Sequence, residues 1–206
     1  MFTGIITHLA TLKNLEFNAK KDAILILEIE KVAVDRKLKI GCSIACNGIC
    51  LTLISQKIVK ENLLLSFQAS QETCNKTTLK NWQINQKINL EFSMRLNDEF
   101  GGHLVSGHVD DISKIISIKN IKESWKFDFE IPKNLQKFIA PKGSVTINGT
   151  SLTINAVSTK IFSINIIKHT MENTIFQHSK VGDLVNLEID LIARYLSQLI
   201  KNHGSK

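Results

Sequence analysis

The residues best suited to chemistry lie in the stretch Gly101–Asp110, near the middle of the chain. It contains His103 and His108, two of the six histidines, together with three of the ten glycines. An imidazole titrates near neutral pH and can act as a general base. Glycines let the backbone turn tightly and approach a ligand closely. The stretch therefore predicts a site of chemistry where one half of the protein meets the other.

Three of the four cysteines, Cys42, Cys46 and Cys50, are spaced four residues apart. Cysteine clusters can hold zinc, but a structural zinc site usually has four ligands in close pairs. No fourth ligand has a suitable spacing, and Asn47-Gly48 interrupts the run as a turn signal. We therefore expect no metal site, and we expect most of these cysteines to be small, buried, reduced thiols.

The sequence repeats itself once, which indicates a duplicated unit. Ser43–Thr52 matches Ser144–Thr153, and both copies contain the motif Asn-Gly-x-x-Leu-Thr. The start of the chain, Thr3–Ile6, aligns with Ser106–Val109. The copies have diverged at three pairs of positions that could carry chemistry: Cys50 and Ser151, Ile5 and His108, Glu72 and His169.

Each copy, residues 1–103 and residues 104–190, has the pattern of short β-strands. Ala23–Ile29 and Leu63–Phe67 are aliphatic runs bounded by polar clusters. Trp125–Ile131 alternates between apolar and polar residues, which is typical of a strand with one solvated face. Several short strands in each stretch of ~100 residues, separated by turn signals, predict a small Greek-key barrel in each copy.

The last segment, residues 191–206, has the pattern of an amphipathic helix. Apolar residues recur at helical spacing from Ile192 to Leu199. Asp190 is a suitable N-cap, and Gly204 is a stop signal. The apolar face of this helix must be buried either against its own barrels or against copies of itself. We favour pairing with copies in a homo-oligomer.

Composition and charge argue against several classes of protein. The formal charge is +7, but the lysines are scattered singly and the chain has only one Tyr and two Trp. No basic patch with an aromatic platform for nucleic acid is therefore indicated. No apolar run reaches the roughly 18 residues of a membrane span, and the N-terminus lacks the features of a signal peptide. We expect a cytoplasmic protein with neither a nucleic-acid nor a membrane partner.

Several segments together resemble the riboflavin synthases of the alpha-chain type: Met1–Ile6, the doubled Asn-Gly-x-x-Leu-Thr motif, Gly101–His108 and the terminal helix. The resemblance covers nearly the whole chain. It implies a mainly β fold with two tandem homologous six-stranded Greek-key β-barrels plus a C-terminal α-helix that mediates a homotrimer. Catalysis in the family takes place where the N-terminal barrel of one subunit meets the C-terminal barrel of another.

The resemblance also implies the reaction. Two molecules of the small-molecule substrate 6,7-dimethyl-8-ribityllumazine dismutate by transfer of a four-carbon unit. The products are riboflavin and 5-amino-6-(D-ribitylamino)uracil, and this is the last step of riboflavin biosynthesis. No metal and no organic cofactor takes part. A doubled fold suits a reaction that uses two copies of one substrate in different roles.

The family's substrate contacts can be carried over by motif match. They fall on Phe2, Gly4, Ile5, Ile6, Cys50, Leu51, Thr52, Gln68, Ala69, Ser70, Gln71, Glu72, Thr73, Gly107, His108, Val109, Lys142, Ser151, Leu152, Thr153, Asn165, Ile166, Ile167, Lys168, His169 and Thr170. The chain departs from the family pattern at Asn148, where Asp is frequent, and at Lys168, where Pro is frequent. The departures affect the detailed contact map more than the function.

The implied reaction needs a base to deprotonate a lumazine methyl group and a nucleophile to activate the partner ring. His103 and His108 are the candidates for the base. Cys50 is the best thiol for addition to the ring, although water or a ribityl hydroxyl could serve instead. Ser43, a short hydroxyl that can hydrogen-bond the substrate, completes the catalytic candidates.

A non-catalytic lumazine- or flavin-binding protein on the same doubled barrel is the main alternative. Such relatives lose catalytic side chains, whereas Cys50, His103 and His108 all remain here, which favours the enzyme. The sequence leaves open which histidine moves the proton. It also leaves open which barrel holds the donor molecule and which holds the acceptor.

Overall fold

The computed structural model describes residues 1–31, 34 and 36–203 of the chain. Within these residues, twelve strands form two closed barrels with six antiparallel strands each. The first barrel consists of β1 (His8–Phe17), β2 (Ala23–Glu30), β3 (Ser43–Cys46), β4 (Ile49–Val59), β5 (Asn62–Ala69) and β6 (Lys87–Phe92). The second consists of β7 (Asp111–Ile121), β8 (Ser124–Glu130), β9 (Ser144–Ile147), β10 (Thr150–Val157), β11 (Ile161–Ile167) and β12 (Leu184–Ile189).

Three α-helices accompany the strands in the described part of the chain: α1 (Gln71–Lys76), α2 (Lys168–Asn173) and α3 (Leu191–His203). Short 3-10 turns lie at Thr78–Asn81, Gln136–Phe138 and Ile175–His178. The first barrel has the neighbour order β1-β2-β5-β4-β3-β6, and the second has the order β7-β8-β11-β10-β9-β12. Because the second order repeats the first, the predicted fold of two tandem homologous barrels is confirmed.

Alternation along the strands separates each barrel's interior from its outer surface. In β2, the side chains of Ala23, Leu25, Leu27 and Ile29 all point inward and are buried. The mainly aliphatic core of the second barrel also contains aromatic rings, of which Phe129 and Phe162 stack with centroids 5.3 Å apart. Each fully buried aliphatic or Phe side chain stabilises the fold by roughly 1.5–3 kcal/mol. The outward-facing positions remain available for a site.

Two tight turns meet where the barrels contact each other. Asn47-Gly48 and Asn148-Gly149 both have positive φ at each residue, as expected for two-residue hairpin turns of type I′. A Cβ atom on Gly48 would lie 2.7 Å from the backbone nitrogen of Gly149, and the reverse distance is 2.8 Å. These two glycines therefore permit the backbones of the barrels to touch.

A reciprocal set of hydrogen bonds joins the barrels around these turns. The amide of Asn89 donates to the carbonyl of Asn148 at 2.9 Å, and the amide of Asn186 donates to the carbonyl of Asn47 at 2.8 Å. Asn89 Oδ1 also accepts a backbone N–H from a 3-10 turn of the second barrel, and Asn186 Oδ1 accepts one from the 3-10 turn of the first barrel. Both distances are 2.8 Å. The exchange indicates an approximate two-fold relationship between the barrels. Each bond adds about 0.5–1.5 kcal/mol to their association.

Helix α3 follows the second barrel, and its apolar face is uncovered in the single chain. Asp190 Oδ1 accepts the backbone N–H of Ile192 at 2.8 Å, as expected of an N-cap. Five large apolar side chains on this helix are more than half exposed: Ile192, Tyr195, Leu196, Leu199 and Ile200. The predicted stop at Gly204 lies outside the described residues. None of the helices in the described part of the chain has the length and apolar character needed to cross a membrane.

Candidate active site

The start of each repeat crosses over to the opposite barrel. The carbonyl of Gly4 accepts the N–H of Ser151 in β10, and the carbonyl of Gly107 accepts the N–H of Cys50 in β4, at 2.8 Å in both cases. The crossing segments also pair with each other through an antiparallel bridge between Phe2 and Val105. The exchange therefore brings the start of the first repeat to the second barrel and the start of the second repeat to the first.

The close approach of the crossing segments explains why each contains a glycine. Gly4 and Gly107 have φ values of +78° and +77°, in the left-handed region that favours glycine. A Cβ on Gly107 would lie 2.7 Å from the Cβ of Cys50, and one on Gly4 would lie 2.6 Å from the Cβ of Ser151. Any larger residue would push the segment away from the strand that it contacts.

Two buried carboxylates hold the crossing segments in place. Glu91 accepts hydrogen bonds from the N–H and hydroxyl of Thr3 and from the N–H of Gly4, at 2.6, 2.9 and 2.9 Å. Glu188 makes the same three bonds in the second repeat, at 2.6–3.0 Å. Burial raises the pKa of both carboxyls, and the hydrogen bonds oppose that shift. Each glutamate thus anchors the crossing segment that contacts the other barrel.

The anchoring glutamates were missed by the sequence analysis, although a signal was present. Ile88–Glu91 and Val185–Glu188 match in register, and each places a carboxylate among apolar strand residues. A charged residue repeated at the same position of two buried strands indicates a paired, buried charge.

The first candidate cluster lies on the outer face of β3, β4 and β5. Ser43, Thr52 and Gln68 are direct cross-strand neighbours, and Cys50 lies two residues before Thr52 on the same face of β4. Cys50 is half-buried, whereas Thr52 and Gln68 are exposed. His108 is exposed on the crossing segment that bonds Cys50. The Cys50 thiol, several polar side chains and the segment that carries His108 therefore lie on the same face of the barrel.

The second candidate cluster contains a buried histidine. His103 Nδ1 lies 2.7 Å from Ser151 Oγ, and its Nε2 lies 3.1 Å from Thr146 Oγ1. Burial lowers the pKa of His103, and the nearby charge of Asp190 partly offsets this effect. The imidazole is therefore neutral at neutral pH, so one ring nitrogen donates and the other accepts. Such a ring can polarise the Ser151 hydroxyl or take up its proton.

The two clusters occupy twin positions but offer different chemistry. Cys50 and Ser151 correspond in the repeat, so a thiol in the first cluster takes the place of a hydroxyl in the second. Of the four catalytic candidates, the structure places Cys50, Ser43 and the His108 segment at the first cluster and His103 at the second. The duplicated unit has become asymmetric at its reactive groups.

Some of the predicted contact residues point away from the outer surface. Leu51 and Ile166 belong to the barrel cores, so only their backbone atoms can meet a ligand on the outer face. Phe2 is fully buried and packs with Ala45 and Val105 against Cys50. The side chains of these predicted contacts therefore support the clusters from beneath.

The other predicted contacts extend from the strands into the short helices. Residues 68–73 and 165–170 run from β5 into α1 and from β11 into α2, at corresponding places in the two barrels. The hydroxyl of Ser70 caps α1 by accepting the N–H of Thr73. Lys168 is exposed in α2, and Lys142 is exposed on the loop before β9.

Asn148, one of the two residues at which the chain departs from the family pattern, has a structural partner. Asn148 is 5% exposed, and its Oδ1 accepts the backbone N–H of Asn186 at 2.8 Å. Asn47 makes the corresponding bond to Asn89 in the first barrel, also at 2.8 Å. The amide at position 148 thus belongs to the contact between the barrels.

Neither a metal-binding cluster among the described residues nor the cleft between the barrels coincides with the two candidate clusters. Among the described residues, no three His, Cys, Asp or Glu side chains are grouped so that they could hold a metal ion. The expectation that most of the three clustered cysteines are buried was wrong, because Cys42 and Cys50 are partly exposed. Cys46 is buried in the first barrel, and this burial raises the pKa of its thiol. A cleft of about 850 Å³ between the barrels is lined mainly by residues 81–87 and 178–185, and neither Cys50 nor Ser151 contributes to its walls.

Comparison with known proteins defines the class of this chain. Both barrels match the lumazine binding domain family, over residues 3–93 and 106–190. A crystal structure of LumP in complex with riboflavin has the same fold, with a TM-score of 0.81 and 24% sequence identity. The match covers 92% of this chain and 99% of that one. The chain is therefore a protein with two tandem lumazine-binding domains.

Curated relatives narrow the class to one family. The riboflavin synthase of Brucella abortus (strain 2308) is 40% identical over 200 residues, which cover 97% of this chain and 98% of the relative. That of Chlamydia trachomatis serovar D is 36% identical over 207 residues, covering 100% and 98%. That of Photobacterium phosphoreum is 36% identical over 201 residues, covering 97% and 89%. The chain belongs to the riboflavin synthase family, which confirms the resemblance seen in the sequence.

Proposed function

We propose that this chain dismutates two molecules of 6,7-dimethyl-8-ribityllumazine into riboflavin and 5-amino-6-(D-ribitylamino)uracil. The observation that carries the proposal is the pair of unequal clusters on twin strands. Each cluster combines outward-facing hydroxyl groups with a crossing segment from the other repeat. A reaction between two copies of one substrate needs two similar binding surfaces with different reactive groups.

The first cluster suits the molecule whose ring is activated. The Cys50 thiol is half-buried on the outer face of β4, where it can add to an electrophilic ring carbon. Ser43, Thr52 and Gln68 are placed beside it to hydrogen-bond the ribityl and pyrimidinedione groups. We therefore assign the acceptor lumazine to the first barrel.

The second cluster suits the molecule that gives up a proton. His103 is neutral and bonded to Ser151, so this pair can receive a proton through the hydroxyl. His108, exposed on the crossing segment of the first cluster, is the second candidate for proton transfer. We assign the donor lumazine to the second barrel.

The proposed reaction needs no outside reagent. The two products together contain all the atoms of two lumazine molecules, so the four-carbon transfer consumes no oxidant and no reductant. General-base and nucleophilic steps by side chains are sufficient for it. We accordingly propose that the chain works without a metal or an organic cofactor.

The proposal extends to the other substrate contacts and to the assembly. The predicted contacts on both crossing segments and along residues 50–52, 68–73, 151–153 and 165–170 form the proposed binding surfaces, with Lys142 as an additional contact.

The uncovered apolar face of α3 supports a homotrimer, in which each cluster of one subunit would face a cluster of another. We propose that residues 1–103, 104–190 and 191–206 form the N-terminal barrel unit, the C-terminal barrel unit and the oligomerisation helix. The four free thiols favour a cytoplasmic location.

An assay of product formation tests the proposed function. Purified protein is incubated with 6,7-dimethyl-8-ribityllumazine, and both products are quantified by chromatography. We expect one riboflavin and one 5-amino-6-(D-ribitylamino)uracil for every two lumazine molecules consumed. A stable lumazine complex without riboflavin formation would instead identify a binding protein and refute the proposal.

A further inference from the structure

An ion pair ties helix α3 to the crossing segment that carries His108. Arg194 Nη2 lies 2.7 and 2.8 Å from the two carboxylate oxygens of Asp110. The side chain of Asp110 is 9% exposed and that of Arg194 is 38% exposed. Asp110 Oδ2 also accepts the backbone N–H of Ile189, at 2.9 Å. The arginine therefore contacts a carboxylate that is already fixed to the end of β12.

The segment that Glu188 and Asp110 hold at its two ends is the one that reaches the first barrel. Glu188 holds its beginning through Ser106 and Gly107, and Asp110 holds its end. Between these anchors, the carbonyl of Gly107 accepts the N–H of Cys50. A displacement of either anchor would move His108 relative to the thiol of the first cluster.

Among the described residues, the first repeat shows no matching arginine clamp. The residue that corresponds to Asp110 is Thr7, whose hydroxyl donates to the carbonyl of Leu90 at 3.3 Å. The glutamate anchors are common to both repeats, whereas in the described part of the chain the ion pair is found on the segment with the histidine. The asymmetry of the clamp thus coincides with the asymmetry of the reactive groups.

We propose that Arg194 is a positioning residue that acts through Asp110 to hold the His108 segment against Cys50. Helix α3 of the C-terminal part of the chain thereby controls the ligand site of the N-terminal barrel. An arginine whose Nη2 donates to both oxygens of a fixed carboxylate suits this role, because charge-assisted hydrogen bonds are short and strong. The inference rests on the proposed function, in that it requires the first cluster to bind the ligand.

The test measures each site separately with riboflavin, the proposed product, which does not react on its own. Protection of Cys50 from iodoacetamide, read by peptide mass spectrometry, reports on the first cluster. The methyl resonance of Ile5, which is exposed on the other crossing segment, reports on the second cluster. Sedimentation velocity at the same concentrations records the assembly state of every variant.

Arg194→Gln should raise the riboflavin concentration that gives half-protection of Cys50 roughly five- to tenfold. This range lies between the losses in affinity typical of removing an exposed ion pair and a buried one. The titration of Ile5 should remain unchanged. Asp110→Asn, which keeps an oxygen for Ile189, should have the same effect without altering α3. The double variant should lose no more than either single one, and Arg194→Lys should recover part of the loss.

Lys13→Gln is the control, because it removes a surface ion pair with Glu28 in the first barrel and should change neither titration. Equal protection in wild type, Arg194→Gln and Asp110→Asn would overturn the positioning role. So would parallel losses at both sites, or a loss in Arg194→Gln that Asp110→Asn does not share. If riboflavin fails to protect Cys50 in the wild-type protein, the proposed function of the first cluster fails, and the inference fails with it.

Discussion

The contact between Gly107 and Cys50 makes Gly107→Ala the most informative single change. The substitution adds one methyl group to a backbone with φ of +77° and places it 2.7 Å from the Cβ of Cys50. Gly182 supplies a matched control, because its φ is +98° and a Cβ there would have no neighbour within 4 Å. The two variants share the strain of a left-handed alanine, and only one of them has the close contact.

The expected cost follows from the geometry. A left-handed alanine costs about 1–2 kcal/mol, and this is the whole effect expected for Gly182→Ala. Ordinary contacts between carbon atoms lie near 3.5–4.0 Å, so the crossing segment of Gly107→Ala must withdraw by roughly 1 Å. This overpacking adds about 1–3 kcal/mol, and the lost bond from Cys50 N–H adds about 0.5–1.5 kcal/mol. We expect a total of about 2.5–6.5 kcal/mol for Gly107→Ala.

Urea unfolding of the wild type and both variants, at one chain concentration, measures these differences. Alkylation of Cys50 provides a local reading, since withdrawal of the segment should expose the thiol and accelerate its modification. Gly182→Ala should leave that rate unchanged. If both variants lose equal stability and Cys50 reacts equally fast in both, the argument that Gly107 is required by the crossing contact is wrong.

Three further predictions concern the reaction, the pH dependence and the assembly. Cys50→Ser should lower kcat at least roughly tenfold more than Ser151→Ala, since the thiol is the proposed nucleophile; steady-state assays showing equal losses would count against this assignment. Burial raises the pKa of Glu188 in the folded state, so this carboxyl favours folding below its ordinary pKa, and the contribution is lost as pH rises through the raised value. Urea unfolding from about pH 4 to 7 should therefore show the wild type losing stability relative to Glu188→Gln, and parallel profiles would refute this linkage. Leu196→Asp with Leu199→Asp leaves Arg194 in place but charges the apolar face of α3, and it should yield monomers in sedimentation equilibrium; a persisting trimer would exclude this face from the interface.

Much of the fold follows from patterns that are local in the sequence. Trp125–Ile131 alternates with period two because one face of β8 is buried, and β8 (Ser124–Glu130) lies at this position. The helical spacing after Asp190 likewise predicts α3 within one residue of its start. The duplication could be recognised because both copies keep Asn-Gly turns. Those turns need residues with positive φ and no Cβ at the glycine for the barrels to meet.

The crossing of the segments could not be predicted from the repeat. An internal alignment shows that Gly107 corresponds to Gly4, but it does not show which barrel either residue contacts. That choice depends on distant partners, since Gly4 meets Ser151 and Gly107 meets Cys50. The hydrogen bond between His103 and Ser151 is equally long-range, so both residues were candidates from the sequence but their interaction could not be predicted.

The exchange of segments also constrains how the chain matures during synthesis. The first barrel can close once β6 has left the ribosome, but Cys50 still lacks the backbone partner supplied by Gly107. The segment at Gly4 must wait longer, until Ser151 has been translated and the second barrel has formed. Within a single chain, neither ligand surface is finished when the first barrel has folded. A nascent chain that stalls between the two barrels would therefore be folded in part and yet have no finished surface for its ligand.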